Sequence, residues 1–90
     1  MENLEQMRKE IDIIDGKILE AFEERMKLSA KIAKYKKDNN LPVLDESREK
    51  EKLDRIAKSE DEFSAFSSKL YLTLADLSRD YQNKINNLGE

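Results

Sequence analysis

Apolar side chains recur along the first third of the chain at alternating steps of three and four, the spacing that lines one face of a long helix. Read in heptads, the inward positions are Leu4, Met7, Ile11, Ile14, Ile18, Ala21, Arg25, Leu28, Ile32 and Tyr35. Nine of those ten suit a packed seam, and the tenth, Arg25, carries a permanent charge. The pattern predicts a long helix over 3–38. Asn3 serves as its N-cap, with Gln6 three residues later as in a capping box. Gly16 weakens the interior by roughly 1 kcal/mol, which the seam outweighs. Asn39-Asn40 ends the helix, and Pro42 sets a short extended connection.

Asp45 reads as the cap of a short second helix over 45–58, with Glu46 and Glu49 complementing its N-terminal dipole. Ser59, Glu60, Asp61 and Glu62 form the next turn. A medium-long third helix follows over 62–87, with Phe63, Phe66, Leu70, Leu74, Leu77, Tyr81 and Leu88 along one stripe. A second stripe, Tyr71, Leu74, Ser78, Gln82 and Ile85, stacks polar side chains one turn apart beside apolar ones. No repeat, low-complexity tract or internal boundary interrupts the pattern, so 1–90 reads as a single all-α domain of three helices.

Length adds a constraint. Thirty-six helical residues span about 54 Å, more than the two later helices can cover while burying their own stripes. Chains this small seldom build a sufficient core alone, and association is one remedy. An intertwined homodimer is therefore expected. The alternative, an extended coiled coil, lacks sustained charge complementarity at its flanking positions and does not explain two chain reversals.

Composition narrows the chemistry. Two glycines, one proline and 41% charged residues fit an all-helical chain. Without Cys there is no disulfide or thiolate nucleophile, and without His the usual zinc ligand and the commonest general base are missing. No metal or cofactor is expected. A net charge of -3 argues against sequence-blind nucleic-acid binding. No apolar run reaches membrane-spanning length, and the opening residues lack a secretion signal, so a cytoplasmic location is expected.

A guanidinium on an apolar face is costly unless a negative group meets it, whether a carboxylate of the protein or an anionic ligand. Lys36 lies eleven residues beyond Arg25, about 16 Å along the axis and within about 20° of the same face. Both cations can converge on one small molecule, although Lys36 can equally snorkel to water and Arg25 can pair with Glu49. Arg8 sits about 25 Å and about 100° from Arg25. It can join the same site only from a second, antiparallel chain; otherwise it is an exposed first-turn residue. Glu49, Leu53 and Ile56 share a face of the second helix, with Asp45 and Arg48 near the same end. Ser78 and Gln82 add neutral donors, or are satisfied core groups. This inventory holds fixed positive charge, one acid and no activated nucleophile, which suits binding a small dicarboxylate rather than hydrolysis or acyl transfer.

These residues resemble the all-helical chorismate mutases over essentially the full length. The resemblance is carried by Arg8-Lys9-Glu10-Ile11-Asp12-Ile13-Ile14-Asp15, by Glu23-Glu24-Arg25 with Lys36 eleven residues on, by Leu41-Pro42-Val43-Leu44-Asp45 with Arg48-Glu49, and by Ser78-Arg79-Asp80-Tyr81-Gln82. It implies a dimer of three-helix chains whose two sites each take one arginine, here Arg8, from the other subunit. The implied reaction is the Claisen rearrangement of chorismate to prephenate, toward phenylalanine and tyrosine, with no cofactor. Lys36, Gln82 and Arg25 would be its catalytic residues. Arg25 and the partner's Arg8 would clamp the carboxylates, and Lys36 and Gln82 would donate to the ether oxygen. Glu49, with backbone near Asp45, would accept from the ring hydroxyl; Ser78 would assist at a carboxylate, and Arg48 would organise Glu49. Some relatives carry Glu at the Gln82 position and need acid pH, so an amide implies a broad neutral optimum. The chain ends soon after this motif, so feedback by aromatic amino acids is not expected from this polypeptide alone, while fusion to or association with another shikimate-pathway enzyme remains open. The rivals are an isochorismate-pyruvate lyase on the same scaffold and a non-catalytic helical adaptor, whose mark would be an Arg25–Glu49 pair with no cavity.

Overall fold

The computed structural model describes residues 3–59 and 61–88. It contains three helices, α1 (Leu4–Asp38), α2 (Glu46–Lys58) and α3 (Ser64–Leu88), and no strand among the described residues. The chain is all-α. Expectations that fall on Glu60, on the Leu88 side chain and on Gly89-Glu90 lie outside the described residues.

Local chemistry sets each boundary. Asn3 is extended, and its side-chain carbonyl accepts the Gln6 amide at 2.8 Å, satisfying one of the free donors of the first turn of α1. At the other end Asn40 takes φ 56, the left-handed conformation that asparagine tolerates better than most side chains. The Asn40 and Leu41 amides then donate back to Lys37 and Lys36 at 3.3 and 2.7 Å, a Schellman closure. Asp45 caps α2 by accepting from the Arg48 amide at 3.1 Å. α3 begins at Ser64, two residues later than the sequence pattern suggests. The Asp61 carboxylate accepts from the Phe63 amide at 2.8 Å and its carbonyl from the Ser64 amide at 3.2 Å. Those bonds hold Glu62 and Phe63 in a turn ahead of the helix.

α3 packs against both α1 and α2, which do not pack on each other among the described residues. Small side chains mark the α1–α3 contact: Ser29 and Ala33 from one helix, Ala75, Ser78 and Gln82 from the other, all buried. The arrangement is a layer measuring 57 × 30 × 14 Å, its thickness little more than one helix with side chains. Its radius of gyration is 16.8 Å, against about 12 Å for a compact domain of this length.

The ten-position seam of α1 is not the core of the single chain. Its eight large apolar members are 41–64% exposed, and Arg25 alone among the ten is half-buried. On α3 and the turn before it the more apolar stripe is likewise outward, with Phe63, Phe66, Leu70 and Leu77 exposed. The face turned inward is the mixed stripe of Tyr71, Leu74, Ser78, Gln82 and Ile85. On α2, the Glu49, Leu53 and Ile56 face is the half-buried one.

Candidate active site

The cleft between the helices has a volume of about 340 Å³. Arg25, Ser29, Ile32 and Lys36 reach it from α1, Val43 and Asp45 from the connection, Arg48 and Glu49 from α2, and Tyr71, Ala75, Ser78, Arg79 and Gln82 from α3. Of the eight residues singled out from sequence, seven therefore line one cavity: Arg25, Lys36, Asp45, Arg48, Glu49, Ser78 and Gln82. Arg8 does not; it is exposed near the start of α1.

The two α1 cations are fixed differently. Arg25 donates from Nη1 to the Leu74 carbonyl at 3.2 Å and to the Ser78 hydroxyl, so α3 anchors its guanidinium. Neither partner is charged, and among the described residues no carboxylate pairs with this guanidinium, which lines the cleft. Lys36 donates from Nζ to the Val43 carbonyl at 2.7 Å, tying the last turn of α1 to the following connection. Its ammonium has three donors, and this bond uses one.

The acidic side of the cleft is set by α2. The Arg48 amide and then the Ser47 hydroxyl hold the Asp45 carboxyl below its ordinary value, with the charges of Lys36 and Arg48 adding to that and partial desolvation opposing it. Glu49 is half-buried and meets Arg79 of α3 at 2.7 Å. The ion pair to Glu49 thus comes from neither Arg25 nor Arg48, and the Arg48 side chain makes no hydrogen bond or ion pair among the described residues. The adaptor signature, Arg25 against Glu49 with no cavity, is not what these residues form.

Ser78 and Gln82 are buried at the floor. Ser78 spends its oxygen on Arg25, whereas the Gln82 Oε1 is buried without a partner among the described residues. That oxygen is an acceptor, open to a hydrogen bond from a ligand; any donation by Gln82 comes from its Nε2. Chemically the cleft offers the anchored cations Arg25 and Lys36, the Arg48 side chain, the Arg79–Glu49 pair, the Asp45 carboxylate and the Gln82 amide, with no nucleophile beside a base.

The family model for type II chorismate mutases matches residues 7–83. The chain belongs to the type II chorismate mutase family. Two relatives are each 43% identical over 58 residues, 64% of this chain: a bifunctional chorismate mutase/prephenate dehydratase of Aquifex aeolicus and a chorismate mutase of Methanocaldococcus jannaschii. The matched regions cover 16% and 59% of those two proteins, so each extends well beyond the shared segment. No solved structure matches the chain. As in the sequence pattern, the type II mutase segment contains every cleft residue discussed above and Arg8.

Arg79 is the cleft residue that sequence reasoning left without a role. The signals were present: an acid three residues earlier at Asp76, and a position one residue past Ser78 on an inward-facing turn. The Val43 carbonyl is different, because a backbone acceptor leaves no trace in a side-chain pattern.

Proposed function

We propose that this chain is a chorismate mutase, an intramolecular isomerase converting chorismate to prephenate in phenylalanine and tyrosine biosynthesis, acting as an intertwined homodimer in the cytoplasm. The observation that carries the reading is the Arg25–Lys36–Gln82 cleft: two anchored cations and a buried glutamine lining one cavity of small-molecule size.

Chorismate is a dianion whose enolpyruvyl arm must fold over the ring before bonds exchange. Arg25, held by Ser78 and the Leu74 carbonyl, binds one carboxylate in a fixed direction. The partner's Arg8 binds the other, which locks the folded diaxial conformer. As the ether C–O bond breaks, negative charge gathers on its oxygen. Lys36 and Gln82 donate to that oxygen more strongly in the transition state than in the ground state, which lowers the barrier. Glu49, with Asp45 nearby, accepts from the ring hydroxyl, and Arg48 closes the wall. The rearrangement is unimolecular and moves no proton, so the lack of a nucleophile or an acid/base pair is no obstacle.

Two features support the dimer. The chain exposes 7704 Å², against about 5,500 Å² for a folded monomer of its mass. The excess coincides with the uncovered apolar seam of α1 and the outward stripe of α3. An antiparallel second copy covers both and carries Arg8 to the cleft. The Aquifex relative bears both a mutase and a dehydratase name, so fusion to or association with another enzyme of the pathway belongs to this reading.

Incubation of the purified protein with chorismate, and separately with isochorismate, tests the assignment. Prephenate from the first supports it. Salicylate plus pyruvate from the second, with no prephenate from the first, replaces it with a lyase.

A further inference from the structure

Arg79 takes no part in the mechanism above, yet it stands between two carboxylates on different helices. Its Nη1 donates to Glu49 Oε1 at 2.7 Å on α2, and its Nη2 donates to Asp76 Oδ1, one turn earlier on α3. Arg79 and Glu49 both line the cleft and keep only 27% and 26% of their side-chain surface exposed, whereas Asp76 is 65% exposed. Partial burial works against the Arg79 charge; Glu49 and then Asp76 outweigh it, and the guanidinium stays above its ordinary value. Asp76 thus braces the fork from the solvent side while the other arm meets the cleft wall.

We infer that Arg79 is a positioning residue for Glu49. It occupies Oε1, fixes the plane of the carboxylate against the α2–α3 joint, and leaves Oε2 as the acceptor for the substrate's ring hydroxyl. The identity of that hydroxyl rests on the chorismate reading. A planar fork suits the task because its two arms serve two acids in a fixed geometry; a lysine in its place supplies a point charge that cannot hold both. The role concerns binding more than bond exchange, because the ring hydroxyl, although on the carbon next to the breaking C–O bond, neither breaks a bond nor collects the charge that develops on the ether oxygen. Removal of Arg79 therefore acts on KM.

Steady-state kinetics on the full-length dimer test this, comparing wild type, Arg79→Met, Arg79→Lys, Glu49→Gln and the Glu49→Gln/Arg79→Met double variant. Arg79→Met is expected to raise KM for chorismate about tenfold with a much smaller change in kcat, the size of one lost charged hydrogen bond discounted for exposure. Arg79→Lys should recover part of that loss. The double variant should be no worse than Glu49→Gln, since the arginine then has nothing left to position. Losses that multiply in the double variant overturn the inference, because Arg79 would then act on the substrate independently. An unchanged KM in Arg79→Met overturns it as well. If Arg79→Met does not fold, Arg79→Lys decides: a raised KM with kcat kept supports the role, and a wild-type KM refutes it. A wild-type protein inert toward chorismate defeats the functional reading before any substitution is compared, and this inference with it.

Discussion

Lys36 donates to the Val43 carbonyl at 2.7 Å, so the cation closing α1 is fastened by the connection that leads into α2. The Schellman closure at Asn40 and Leu41 turns the chain sharply enough to bring that carbonyl back over the last helical turn. A lysine on a free helix end would sample many rotamers. This one is directed into the cleft with two donors to spare, which is the preorganisation that makes a charged donor effective at a developing oxyanion.

Replacing Lys36 with Ala should lower kcat by about 10²–10³-fold, the usual consequence of removing one such donor. KM should change much less, and helicity and chain association should be retained, because Lys36 lies at the end of α1 and outside the small-residue contact with α3. Rapid-quench measurement of prephenate alongside circular dichroism checks both parts.

Gln82 is neutral at every ordinary pH, so the contact with the ether oxygen proposed for it should not titrate. In Gln82→Glu a carboxylate would face the same developing charge and repel it. Activity at neutral pH should fall and return as the pH drops toward the carboxyl range, near 4.3 in a free side chain and higher when buried. A pH–rate profile that stays flat in Gln82→Glu would argue against contact between residue 82 and the reacting oxygen.

Asp45 supplies a pH-dependent element of stability. Its folded carboxyl lies below the ordinary value of 3.8, chiefly through the Arg48 amide and the Ser47 hydroxyl. A depressed carboxyl stabilises the fold above its unfolded pKa and loses that contribution as pH falls through the folded value. Asn can also cap a helix, so Asp45→Asn removes the charge and keeps the cap. At fixed protein concentration, wild type should melt above Asp45→Asn at pH 7, and the gap should close as the pH falls through the depressed folded value of Asp45.

Much of this was legible in the amino-acid sequence because it is local. Asn3, Asp45 and the Asn39-Asn40 pair act on amides and carbonyls within a turn of themselves, and their positions bound two of the helices. α3 starts later than periodicity suggests because Asp61 captures two amides that a pattern of apolar residues does not weigh. The choice of inward face on α3 was not legible. One stripe is more apolar, yet the mixed stripe with Ser78 and Gln82 packs on α1. Hydrophobicity alone does not separate a surface covered within the chain from one left for another copy. The Arg79–Glu49 pair joins positions thirty residues apart, and the sequence offers several acids that could equally have met that arginine.

The central claim is that each site is shared between two chains, with Arg25 from one and Arg8 from the other. Neither Arg8→Ala nor Arg25→Ala should turn over chorismate appreciably as a homodimer. Refolded together in equal amounts, they form hybrids in which one site regains both arginines and the other loses both. Random pairing makes half the dimers hybrid, and the mixture should recover about one quarter of wild-type prephenate production. A mixture no more active than either variant alone would contradict the account.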